Sequence, residues 1–252
     1  MGRVVTIQAR FNGPDRSGNG GYCCGLIASQ VEHDGPRSST LRQPPPLDTP
    51  LSWEKHADDL VRLITAGGAV VGESQPGEFV REAPPLPSRD QVAAGEAAYP
   101  GHHNHPFGRC FTCGPLRDEG DGLRIFTGPI EPGSTTTAAT WVPHPDHAKT
   151  AGANADGTVS DAKGTVPDEI VWAAIDCAGG WTADFTVHPT VLGRMTGQVL
   201  RPPATGEPCV VTGRLSAQEG RKFWTDTALY SGDELLARAE QVWIEIDPSM
   251  FS

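Results

Sequence analysis

The sequence predicts an α+β fold in which one arrangement occurs twice: a buried central helix followed by an antiparallel sheet that wraps around it, so two sheets in all. Three observations carry this. The stretches Tyr22–Val31 and the run beginning at Pro167 are too uniformly apolar for surface helices. Each precedes a set of short alternating runs separated by Pro, Gly and Asp turn signals. Between the halves, residues 76–108 are Pro-rich, helix-poor and mixed in charge, which reads as a linker. The predicted division is an N-terminal repeat over residues 1–80, a linker over 81–108 and a C-terminal repeat over 109–252.

In the first half, Arg3–Phe11 alternates as a strand, and "SGNGGYCCGLIA" (17–28) puts three glycines around Asn19 before the first helix. A glycine cluster opening into an apolar stretch marks a loop that becomes a helix while leaving backbone N–H groups open to a ligand. Strands are predicted at Ser38–Gln43, Pro50–His56, Asp59–Thr65 and Ala69–Ser74. In the second half, strands are predicted at Gly122–Phe126 and Thr135–Val142, then an Ala-, Gly- and Asp-rich loop over 143–164. Pro167 suits a first helical turn, and Asp168 and Glu169 suit the positive end of its dipole. Four strands then close the chain at Val191–Arg201, Pro208–Ala217, Lys222–Tyr230 and Leu235–Ile246, joined by "PPATGE", "QEG" and "SGDE".

Bulk properties exclude several classes. The 252 residues hold one large domain or two ordinary ones, and either buries a core without disulfides. With 20 Lys+Arg against 31 Asp+Glu the net charge is −11, which disfavours nucleic acid as a partner. No apolar run approaches the ~20 residues of a membrane span, and the N-terminus lacks a signal-peptide core. A soluble cytoplasmic protein is expected. The cysteines, Cys23, Cys24, Cys110, Cys113, Cys177 and Cys209, sit mostly in apolar surroundings and read as reduced, buried residues.

Three stretches carry a resemblance to a known family. "CFTCGPLRDEGDGLRIF" (110–126) resembles the Cys-Phe-x-Cys-Gly segment, ending in Gly-Leu, that precedes the central helix of many phenylacetyl-CoA-thioesterase-type hotdog proteins. "VWAAIDCAGGW" (171–181) resembles the helix that follows in them, with its single aspartate, and "SGNGGYCCGLIA" resembles the His/Asn-Gly-Gly helix start of the wider superfamily. The order of the motifs, covering the chain apart from residues 76–105, resembles a tandem (double) hotdog acyl-CoA thioesterase.

That resemblance implies one composite site. Single-hotdog relatives supply both a Gly-Gly pair and a carboxylate seven residues after the second glycine. Here, counting seven from Gly21 reaches Ala28, and counting seven back from Asp176 reaches Glu169, so the halves have complementary losses. The surviving site would pair Gly20 and Gly21 with Asp176. The amides of Gly21 and Tyr22 would hold the thioester oxygen at a helix N-terminus. Asp176 would act as general base or nucleophile. Asn19 would orient water or thioester, and Thr196 would assist Asp176. Arg194, Arg201, Arg221 and Lys222 are candidate cations for the phosphates of coenzyme A, which enters only as part of the substrate. Tyr22, Leu26, Trp172 and Trp181 would line an acyl tunnel between the helices, or equally serve as ordinary core. By analogy, two chains associate into a homodimer.

Plainer readings stand beside these. Gly20–Gly21 could serve a tight turn and close helix packing, and Asp176 could be a structural hydrogen-bonding group. A dinucleotide fingerprint fails because Gly18 and Gly20 would need a third glycine where Cys23 stands, and no P-loop Lys-Ser/Thr follows. His102, His103 and His105 precede Cys110-x-x-Cys113, but without a second Cys-x-x-Cys no metal is expected. A catalytic cysteine is disfavoured by the buried helices around Cys23, Cys24 and Cys177. Two functions remain: an acyl-CoA thioesterase for medium or long acyl chains, and an acyl-thioester binding protein without turnover.

Overall fold

A computed structural model describes residues 4–56, 59–148, 164–247 and 249 of the chain. The loop expected over 143–164 lies mostly outside these residues. The strands are β1 (Val4–Thr6), β2 (Arg37–Leu41), β3 (Pro50–Lys55), β4 (Val61–Thr65), β5 (Val70–Pro76), β6 (Gly128–Pro129), β7 (Thr136–Trp141), β8 (Thr190–Val199), β9 (Cys209–Glu219), β10 (Lys222–Ser231) and β11 (Glu234–Glu245). They form one antiparallel sheet, in the order β1-β3-β4-β5-β2-β8-β11-β10-β9-β7-β6. Two separate sheets were expected. The join is β2 against β8, with Ser38 opposite Thr196 and Thr40 opposite Arg194. Separate sheets would leave two rows of unpaired N–H and C=O groups at this seam, and pairing satisfies both. The strands of each half remain contiguous on their own side of it.

The helix α1 (Gly20–Ala28) is buried on nearly every side, as its uniform apolarity requires. Gly21 and Gly25 form its face toward α3 (Asp168–Ala174). A Cβ on Gly25 would stand 2.8 Å from Trp172 Cβ and 2.9 Å from Glu169 Cα, so the missing side chain permits this approach. The second buried helix was expected to be continuous. It breaks after α3 and resumes as α4 (Cys177–Trp181). At the break, the Gln241 amide donates to the carbonyls of Ile175 (2.9 Å) and Asp176 (3.2 Å). The side chain of β11 thereby supplies donors to two carbonyls at the break, while Asp176 stays in a tighter helical turn, its N–H donating to Ala173 and its carbonyl accepting from Gly179.

The presumed linker is more ordered than its composition suggests. The N–H groups of Val80 and Arg81 donate to Glu240 at 2.8 and 2.6 Å, and Arg81 Nε donates to Asp226 at 2.6 Å. Tyr230 donates its hydroxyl to the Pro84 carbonyl. Thr225 and Gln241 point toward α4, so by strand alternation Asp226 and Glu240 lie on the opposite, outer face, which this strap crosses. A helix follows, α2 (Arg89–Ala97), opened by a reciprocal capping box between Ser88 and Gln91 and packed on β6 and β7. The strand expected at Gly122–Phe126 is absent. Leu123 and Ile125 donate instead to the carbonyls of Phe111 and Thr112, and Arg124 takes a left-handed φ of 55°, which interrupts extended pairing.

Candidate active site

The site forms where the N-terminus of α1 meets the break between α3 and α4. Asn19 is the N-cap, and its Oδ1 accepts from the Tyr22 N–H at 2.9 Å. Its Nδ2 donates to Asp176 Oδ2 at 3.0 Å and to Thr112 Oγ1 at 3.3 Å. The Gly21 N–H donates to the same Asp176 oxygen at 3.0 Å. Thr112 is fixed in turn by donating to the Ala173 carbonyl. A Cβ on Gly21 would lie 2.5 Å from Asp176 Cβ and 2.6 Å from the Trp172 carbonyl, so this glycine serves helix packing and carboxyl approach together.

These bonds correct two expectations. Neither the Gly21 nor the Tyr22 amide is an open donor, because Gly21 donates to Asp176 and Asn19 caps Tyr22, whose ring stacks on Phe11 at 4.1 Å. In this first turn Gly21, Tyr22 and Cys23 have acceptors for their N–H groups, and none is found among the described residues for Gly20. Thr196 bonds Ser38 across the β2–β8 seam and is not among the partners of Asp176. Thr112, which sequence reasoning passed over, is the threonine joined to this network.

Asp176 is 1% exposed, and its Oδ1 has no partner among the described residues. Burial pushes its carboxyl up to about 8, against the opposing pull of the Gly21 N–H and the Asn19 amide. Near neutral pH the group is therefore largely protonated and can present a donor or, once ionised, a base. Cys23 and Cys24 are buried and shifted upward, as inert core thiols are.

Asp176, Asn19 and Gly20 line a cavity of about 170 Å³. Its apolar wall includes Pro45, Phe107, Phe185, Leu192, Trp243 and Ile244, drawn from the loop after β2, the segment after α2, the connection from α4 to β8, and β8 and β11. The expected tunnel between the helices is replaced by this space. Trp172 packs against Gly25 and Gly197, Trp181 against Tyr99 and Phe185, and Leu26 belongs to the core margin; none of them lines the cavity. Of the expected cations, Arg201 is held by Glu207 and Glu234 at 2.8 Å each and is not among the residues that line the cavity. Arg194 is exposed on β8 and donates to Thr40, while Lys222 is paired with the cavity residue Ile244 and Arg221 precedes it in the turn. Arg42 lines the mouth but is engaged with Glu73.

An antiparallel sheet packed against buried helices, with the N-terminus of α1 beside the Asp176 carboxyl of the other half, is the arrangement of a hotdog-fold protein. Solved structures agree. A protein from Novosphingobium aromaticivorans, provisionally assigned as a thioesterase, aligns over 97% of this chain and 95% of its own, with a TM-score of 0.58 and 17% identity. The TesB protein of Mycobacterium avium subspecies paratuberculosis aligns over 97% and 92%, with a TM-score of 0.56 and 11% identity. A hotdog-fold protein of unknown function from Alicyclobacillus acidocaldarius aligns over 97% and 93%, at 0.53 and 14%. No protein-family model and no curated protein matches the sequence. No helix among the described residues is long and apolar enough to cross a membrane.

Proposed function

We propose that the protein is a tandem hotdog thioesterase that hydrolyses medium- or long-chain acyl-CoA at a single composite site. One observation carries the reading: the carboxyl of Asp176, from the second half, seats on the N-terminus of α1, from the first, with one oxygen unpartnered, and Asp176 is among the residues that line the cavity. The Gly20 N–H, at the positive end of the helix, receives the thioester oxygen as it gains negative charge. Ionised Asp176 takes a proton from water as the water oxygen attacks the carbonyl carbon. The tetrahedral intermediate then collapses, the C–S bond breaks, and Asp176 returns the proton to the leaving thiolate. Arg194, Arg221 and Lys222 remain candidates for the coenzyme phosphates. The thioesterase assignments among the structural neighbours agree with this chemistry.

A binding role without turnover is favoured by a different observation, since Asp176 already satisfies the Gly21 amide as a purely structural cap would. Release of free thiol from acyl-CoAs of graded chain length separates the two. Turnover that is lost in Asp176→Asn while acyl-CoA binding persists supports hydrolysis; binding without thiol release by the native protein overturns it.

A further inference from the structure

We propose that Cys110, Cys113 and Cys177 form a binding site for a thiophilic divalent metal ion, zinc above all, with its open coordination position facing the cavity. The sequence pairs only the first two, and the fold brings the third to them at the start of α4. Their sulfur atoms all lie within 4.8 Å of one another, and Cys110 and Cys177 are 3.7 Å apart. Sulfurs on a tetrahedral zinc, each about 2.3 Å from the ion, stand about 3.8 Å apart. All three thiols are free and buried, and all three line the cavity, which provides a route for the ion.

His105 completes the surroundings without being a ligand. Its Nδ1 accepts from the Phe107 N–H at 2.9 Å, which leaves the proton on Nε2, 3.3 Å from Cys113 Sγ. An N–H aimed at a thiolate is the outer-shell arrangement that steadies a metal-bound sulfur. The fourth position is then left to water or another small ligand from the cavity, as in zinc sites that keep an open place. Cys23, Cys24 and Cys209, buried elsewhere, form no such group among the described residues.

The test uses the full chain produced with zinc and purified under reducing conditions without chelator. Metal analysis should find about one zinc per chain. Cobalt substitution should give a thiolate-to-metal charge-transfer band that falls by about a third in Cys177→Ser. His105→Gln should keep the stoichiometry and weaken affinity by about 10-fold or more. Cys209→Ser should behave as the native protein. Less than about 0.1 zinc per chain in the native protein, with no cobalt charge-transfer band, overturns the proposal irrespective of how any variant folds. So does a Cys110–Cys177 disulfide in place of metal, or an unchanged band in folded Cys177→Ser. None of these readouts uses thioester hydrolysis, so the site and the proposed activity stand or fall separately.

Discussion

Asp176 Oδ2 lies 3.0 Å from the Gly21 amide nitrogen, joining the first turn of one buried helix to the broken middle of another 155 residues away. The contact makes a strong demand on both partners. The glycine can hold no side chain, and the carboxyl must be buried beside sulfur and carbonyl groups. Replacing Asp176 by Asn keeps the shape and the acceptor for Gly21 but removes the ionisable oxygen. Thiol release from acyl-CoA should fall by about 10³-fold. Retention of more than a tenth of native turnover would rule out Asp176 as base or nucleophile.

The pH dependence follows from the same burial. A base that ionises at about 8 requires kcat/KM to rise with pH and level off above that value. Stability should run the other way. The folded carboxyl keeps its proton up to about 8, whereas the unfolded one loses it near ~3.9, so between these values the native state binds more protons and loses stability as pH rises. Thermal melts should show Asp176→Asn gaining on the native protein by several degrees at pH 9, with the gap closing at pH 5. An equal gap at both pH values would place the ionisation elsewhere.

Gly21 and Gly25 separate chemistry from packing. A Cβ at either position meets α3 at 2.9 Å or less, but only the one at Gly21 meets Asp176. Both alanine variants should lose about 3 kcal/mol of stability, from the overpacking of two helices that cannot move apart freely. Assayed well below their melting temperatures, Gly25→Ala should keep native kcat within a few-fold, while Gly21→Ala should lose about 10²-fold or more. Equal losses in the two variants would mean that the glycine pair acts through packing alone.

Local signals made much of this fold legible. The four closing strands lie within one or two residues of their predicted limits because each alternates strongly and ends at a Pro, Gly or Asp turn. Both buried helices follow from uniform apolarity. What escaped was set by partners far away in sequence: the β2–β8 pairing, the helix break whose carbonyls Gln241 bonds, and the third thiol, Cys177, which reads as ordinary helix until the fold seats it beside Cys110. Two misses did have a local signal. Ser88-x-x-Gln91 is a capping box that announces α2, and Asn19 before Gly20 is an N-cap that commits the Tyr22 amide. The meeting of Gly21 with Asp176 could be anticipated only through the family resemblance, since no periodicity links residues so distant.

Arg81 supplies the last prediction, on the face of the sheet opposite the site. Its guanidinium is 2.6 Å from Asp226, a carboxylate 1% exposed whose other cationic partner is Arg214 at 3.0 Å, and its backbone N–H anchors the strap to Glu240. Arg81→Ala leaves the buried Asp226 with one cation and takes the guanidinium from Glu240, 3.6 Å away, and should cost about 2–4 kcal/mol, because the stranded charge rather than the lost contact dominates. The melting temperature should drop by about 5–10 °C at pH 7. Asp226→Asn in the same chain should recover the part of the loss that comes from Asp226, since the amide has no charge to strand, while Glu240 still lacks its Arg81 partner. If the double variant is as unstable as the sum of the single ones, the strap is held by its backbone and Tyr230 contacts and not by this ion pair.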